Sequence, residues 1–321
     1  MENIEKKIKE NQTRNKKFIK EFEEWLKEKS LSDKTIKKHI SNVDIFINDY
    51  LNYYDIETAE EGITSVYSFL NGWFIEKCMW ATPYTTKEEA ASIKKFYAYM
   101  SEKGYAFIDG KLVRTPAFEM PIKRKYDYMD EEITFVEHCH DKPLHYSFNA
   151  EKFFKGAKNA YFKYAGAGVD FAKPLYRAGL LSHKKEIING VEIAPFDMVL
   201  RHVPPAPKFK DEIREIIDEG LVTDSGCMVI EAYGKKDGKD VLVETHVFAP
   251  GLVESYEKAG ITAEMYLTGQ GGYLFTKLFV NDKFDQTGLI SSDMLTFEQV
   301  DCYFQYAAEL GITLETKIKE L

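Results

Sequence analysis

Along the first hundred residues, apolar side chains recur at intervals of three and four. The period runs through residues 19–29 (IKEFEEWLKEK), 33–51 (DKTIKKHISNVDIFINDYL) and 87–100 (KEEAASIKKFYAYM). That spacing gathers the apolar positions on one face of a helix, and no strand-like alternation interrupts it between residues 3 and 103, so a helical bundle is predicted. Ser32 is placed to accept from the free amides at the start of the second helix, and Thr86 with Glu89 makes a Thr-x-x-Glu capping box for the last one. After Gly104 the pattern changes to short β-branched and aromatic runs, over residues 132–139, 159–164, 186–193 and 227–248. Asp237-Gly238 and Asn189-Gly190 each lie between two such runs, and both dipeptides suit the positive φ angles of a two-residue hairpin turn. The predicted class is α+β. Residues 1–104 form an all-helical bundle, and residues 105–321 form a mixed α/β domain with a largely antiparallel sheet.

Composition narrows what such a chain does. With 321 residues and 44% hydrophobic content it supplies a core for two domains, and no run approaches the roughly 18 apolar residues of a membrane helix. The charged start, MENIEKKIKE, has no apolar core of a signal peptide, and the four cysteines form no CxxC pair. A cytoplasmic protein in a reducing compartment is expected, with no membrane partner. The formal charge of −9 argues against nucleic-acid binding over the whole surface. The charge is uneven: residues 1–104 hold 17 Lys/Arg and 18 Asp/Glu, and residues 105–321 hold 26 and 34.

Within the helical region, Leu31 to Phe46 (LSDKTIKKHISNVDIF) followed by Ser92 to Met100 (SIKKFYAYM) resembles the SAM-like core-binding domain of phage integrases and tyrosine recombinases. In that family the module clamps duplex DNA, which implies a basic face here of Lys34, Lys37, Lys38 and His39, extended by Lys94 and Lys95. A solvated helix face has the same composition. Strand exchange also needs an Arg, a His-x-x-Arg pair and a nucleophilic Tyr, and no His-x-x-Arg occurs in the sequence. The resemblance therefore implies weak duplex-DNA binding without recombinase activity.

From Asp109 onward the order of motifs resembles the C-terminal part of the saccharopine dehydrogenase and carboxynorspermidine dehydrogenase family. The motifs are residues 135–146 (FVEHCHDKPLHY), 158–182 (KNAYFKYAGAGVDFAKPLYRAGLLS), 190–207 (GVEIAPFDMVLRHVPPAP) and 228–239 (MVIEAYGKKDGK). They continue with Thr262 to Gly269 (TAEMYLTG), Gly288-Leu-Ile290 and Ala307 to Ile312. The resemblance implies a substrate-binding and dimerisation domain for an amino-dicarboxylate or a carboxy-polyamine. Its contacts would come from Met265, Thr268, Gly269, Arg201 and Arg177. The sequence departs from the family at Leu267, Gln270, Gly271 and Gly272.

Read by themselves, Thr268 and Gly269 at a helix start would leave backbone amides free for a carboxylate, with Gly271 and Gly272 alongside. A close helix packing contact needs the same small residues. Hydride transfer needs a nicotinamide, usually held by a Gly-x-Gly-x-x-Gly turn with an acid about 20 residues later. The nearest string, Gly166-Ala-Gly168, lacks the third glycine and the acid and reads as a turn between strand and helix. No cofactor is expected on this chain, and NAD(P) would enter only through a separate Rossmann subunit. A homodimer is the other partner the resemblance implies.

Two smaller constellations remain. His138 and His140 are two apart on a predicted strand and face one way, with Cys139 and Asp141 beside them, but a surface cluster accounts for them and no metal is assigned. Arg201 and His202 before Pro204-Pro205 make a basic spot suited to a dicarboxylate or to structural ion pairs, and Arg177 is similar. No nucleophile elbow or P-loop occurs.

Overall fold

A computed structural model describes residues 2–140, 142–148, 150, 154, 156–220, 222, 227–284, 286, 290 and 292–321. It is mixed α and β with small antiparallel sheets, and its contacts divide it into two compact units, residues 1–199 and 200–321. Among the described residues no helix is long and apolar enough to cross a membrane.

The first unit begins with the predicted helices. They are α1 (Glu2–Glu28), α2 (Asp33–Asp44, continued by a wider turn over Ile45–Tyr50), an irregular α3 (Val66–Ser68, Phe69–Trp73 and Phe74–Lys77) and α4 (Pro83–Glu102). Their apolar stripes meet in one core. Phe18, Phe22, Trp25 and Leu26 of α1 are buried with Ile36 and Val43 of α2, Phe69 and Phe74 of α3, and Ile93, Phe96, Tyr97 and Met100 of α4. Aromatic rings dominate it: Phe22 meets Phe96 edge-on at 5.5 Å between centroids, and Phe46 meets Phe69 at 5.1 Å. Ser32 caps α2 as predicted, accepting from the Thr35 amide.

The start of α4 differs from the sequence expectation. Thr82 is the cap and Thr85 completes its box, with Pro83 in the first turn, where a missing N–H costs nothing. Thr86 and Glu89 therefore lie inside the helix, and Glu89 is buried. The helix ends at Glu102, and Gly104 lies just past its cap, where a φ of 79° and the approach to Thr115 exclude a side chain: a Cβ there would lie 2.5 Å from the Thr115 carbonyl oxygen.

Strands start just after Gly104, where the pattern changes, but the core does not stop there. The hairpin β1 (Tyr105–Ile108) and β2 (Lys111–Arg114) sends Phe107 and Leu112 into the helical core, and Leu144 of α5 (Lys142–Phe148) joins them. Its turn, Asp109-Gly110, has φ of 51° and 78°, the positive pair of a two-residue hairpin. Next come β3 (Ile122–Arg124) and β4 (Ile133–Glu137), then β5 (Lys163–Tyr164), which make a three-stranded antiparallel sheet in that order. Gly166, with φ of 106°, caps α6 (Ala167–Arg177), so Gly166-Ala-Gly168 is the strand-to-helix turn expected. The hairpin β6 (Glu186–Ile188) and β7 (Val191–Ile193) turns at Asn189-Gly190 as predicted. The division between units falls within α7 (Pro195–His202).

The second unit contains α8 (Lys210–Asp218), the long hairpin β8 (Cys227–Lys236) and β9 (Lys239–Phe248), α9 (Leu252–Ala259), α10 (Ala263–Val280), α11 (Phe297–Ala308) and β10 (Thr313–Glu320). Asp237-Gly238 makes the predicted turn, and β10 returns antiparallel to β9, giving the order β10-β9-β8. Two small clusters form its core, one of Ile213, Leu252 and Tyr256 and one of Leu274, Ala307 and Ile312.

Candidate functional site

Two places gather the residues singled out in the sequence. The first is the junction of α2 and α4. The apolar stripes of both helices turn inward, which leaves their lysines outward: Lys34, Lys37, Lys38 and Lys94 are exposed and Lys95 is half-buried. His39 does not belong to that exposed set. It is buried, with Nδ1 2.9 Å from the Ser92 hydroxyl, to which Asn42 also donates at 3.0 Å. Burial, aided by the positive charges of Lys95 and Lys38, holds the imidazole below its ordinary value. Lys38 also pairs with Glu88 and lies 5.9 Å from the centre of the Tyr84 ring. The neutral imidazole is thus a positioning group between helices.

The second place is a groove of about 680 Å3 in the second unit. One side is apolar, made of Ala206, Pro207, Ile213, Ile216, Val222 and Leu252. The other side is the beginning of α10, with Thr262, Glu264, Met265 and Thr268. Met265 and Thr268 therefore line the same groove. The anion cradle expected at Thr268 and Gly269 is overturned, because α10 starts a turn and a half earlier. Thr262 is its cap, accepting from the Met265 amide at 3.3 Å, and Glu264 stands in the first turn. Thr268, Gly269, Gly271 and Gly272 are interior helical residues whose amides belong to the helix ladder. The packing alternative fails as well, since a Cβ added at any of these three glycines would meet nothing within 4 Å.

The arginines do not join the groove lining. Arg177 ends α6 in the first unit, and Arg201 lies in α7; both are exposed. His138 and His140 sit 5.8 Å apart by ring centres, and each packs on Phe162. Among the described residues no group of three His, Cys, Asp or Glu is arranged to hold a metal ion. Asp141 lies outside the described residues, as do Gly288 and Leu289 of the Gly288-Leu-Ile290 motif.

One lining residue, Glu264, is not among the candidates the motifs singled out. Thr262-x-Glu264 is the ordinary signature of a cap followed by an acid in the first helical turn. No protein-family model matches the chain, and no curated protein matches it. The two family resemblances rest on their own motifs.

Proposed function

We propose that the helical module binds duplex DNA along the face shared by α2 and α4, without strand-exchange chemistry. One observation carries this reading: α2 packs on α4 through the His39–Ser92 contact and the Lys38–Glu88 pair, while Lys34, Lys37 and Lys94 stand exposed on the same two helices. Ammonium groups spaced along adjoining helices match phosphates along a backbone, and such contacts carry affinity and orientation but no base specificity. The integrase-like motif over residues 31–46 and 92–100 supports the same reading. Glu88 neutralises part of the Lys38 charge, so Lys37 and Lys94 carry more of the contact.

The amino-dicarboxylate ligand implied by the saccharopine dehydrogenase resemblance is not carried into this proposal. Among its described lining residues the groove that contains Met265 and Thr268 has no cationic side chain, and the one charged member is an acid. Two carboxylates would enter it without a counter-charge.

Anisotropy of a short labelled duplex tests the proposal. Binding at about 50 mM salt should weaken steeply by about 200 mM, with a slope near −0.9 per phosphate contact. Lys37→Glu combined with Lys94→Glu should abolish it while leaving the fold intact, since both side chains are exposed. Absence of binding at low salt, or unchanged binding by the double variant, would overturn the reading.

A further inference from the structure

The groove in the second unit has a chemistry of its own, independent of the helical module. Its walls are mostly hydrocarbon, and its volume falls within the range of about 300–1,000 Å3 that suits one small molecule. Among its described lining residues the one charge is Glu264. Among the described residues that carboxylate forms no ion pair and no side-chain hydrogen bond, although Lys and Arg elsewhere on the unit are paired: Lys258 with Glu254, Lys277 with Glu309, and Arg214 with Asp218. The position of Glu264 also settles what the start of α10 attracts. Its negative charge occupies the first turn, so the helix end is already complemented and offers little to an incoming anion.

We infer that this groove binds a small amphipathic amine, with the apolar body against Pro207, Ile216 and Leu252 and the ammonium group on Glu264. Met265 lines the hydrocarbon part; an unbranched thioether side chain adapts to ligand shape better than a branched one. Thr268, one turn along from Glu264 on the same helix face, supplies a hydroxyl that accepts from the ammonium N–H. A carboxylate on the ligand would face Glu264 and be repelled. A neutral alcohol would keep the apolar contact and lose the ionic one.

Calorimetry on the full chain at neutral pH, with n-octylamine, n-octanol and n-octanoate, reads these differences directly. The amine should bind saturably and about fivefold more tightly than the alcohol, with octanoate weakest. Glu264→Gln should remove the advantage of the amine and leave octanol binding unchanged. Thr268→Trp, an exposed position on the groove side of α10, should block all three ligands. Far-UV circular dichroism of each variant checks that the unit is folded. Tighter binding of octanoate or of an amino-dicarboxylate, no saturable binding by any of the three, or equal amine affinity in Glu264→Gln would each overturn the inference. A protein dimer that dissociates in Thr268→Trp would also overturn it, by assigning the groove to a second copy. DNA binding by the helical module is measured separately and stands or falls without affecting these results.

Discussion

Glu89 is a buried acid of the helical module with little to compensate it. It sits on the inward face of α4 at 3% exposure, and its Oε2 has no hydrogen-bond partner. Burial in this apolar setting pushes its carboxyl up from an ordinary 4.5 to about 7. Cys78, whose thiol is itself raised by burial with further contributions from Glu89 and Asp49, is the neighbour that feels this charge. The folded state therefore prefers the protonated acid, while the unfolded chain titrates it at its ordinary value. Stability from that preference is fully present below about pH 4.5 and is lost as pH rises through about 7. The interval of about 2.5 between the two values, at about 1.4 kcal/mol each, amounts to about 3 kcal/mol. Glu89→Gln keeps the shape and has no proton to lose. It should match the parent protein near pH 4.5 and exceed it by about 3 kcal/mol at about pH 9. All three tryptophans, Trp25, Trp73 and Trp80, belong to this module, so urea unfolding followed by tryptophan fluorescence reports on it and not on the second unit. A difference between the two proteins that does not change with pH, or a glutamine variant that is less stable at high pH, would refute the reasoning.

Two further perturbations follow from the described geometry. Gly269, Gly271 and Gly272 occupy the interior of α10 with open space where each Cβ would go, so replacing any one with alanine should stabilise the second unit by about 0.5–1 kcal/mol; a fall in melting temperature would show that the helix needs its glycines. Lys163 and Glu137 form a buried ion pair at 3.2 Å that joins β5 to β4, so Lys163→Met should leave the carboxylate unpaired and cost about 3–5 kcal/mol, measured by urea unfolding; an unchanged midpoint would mean that Glu137 is protonated in the folded chain.

Much of the local structure was legible in the sequence because its causes are local. Helices α1, α2 and α4 follow from a period that only a helix satisfies, Ser32 caps because its hydroxyl reaches an amide three residues on, and Asp237-Gly238 turns because both residues tolerate positive φ. Where two local signals competed, the pattern misled. Thr82 and Thr86 are both followed by a plausible capping partner, and Pro83 decided between them by fitting the first turn. Thr262 and Thr268 compete in the same way, and taking the second as the start of α10 turned an ordinary helix interior into an anion cradle. What only the tertiary structure decided is which side chains share a site. His39 sits among lysines along the chain, yet the packing of α2 on α4 buries it against Ser92, 53 positions away, and leaves the lysines outside. Glu264 becomes the one charge among the described lining residues of an apolar groove because Pro207, Ile213, Ile216, Val222 and Leu252 line it together with the start of α10. Periodicity specifies which face of a helix is buried, whereas the partner that buries it, and the charge left standing at the edge, depend on contacts between segments that no local spacing records.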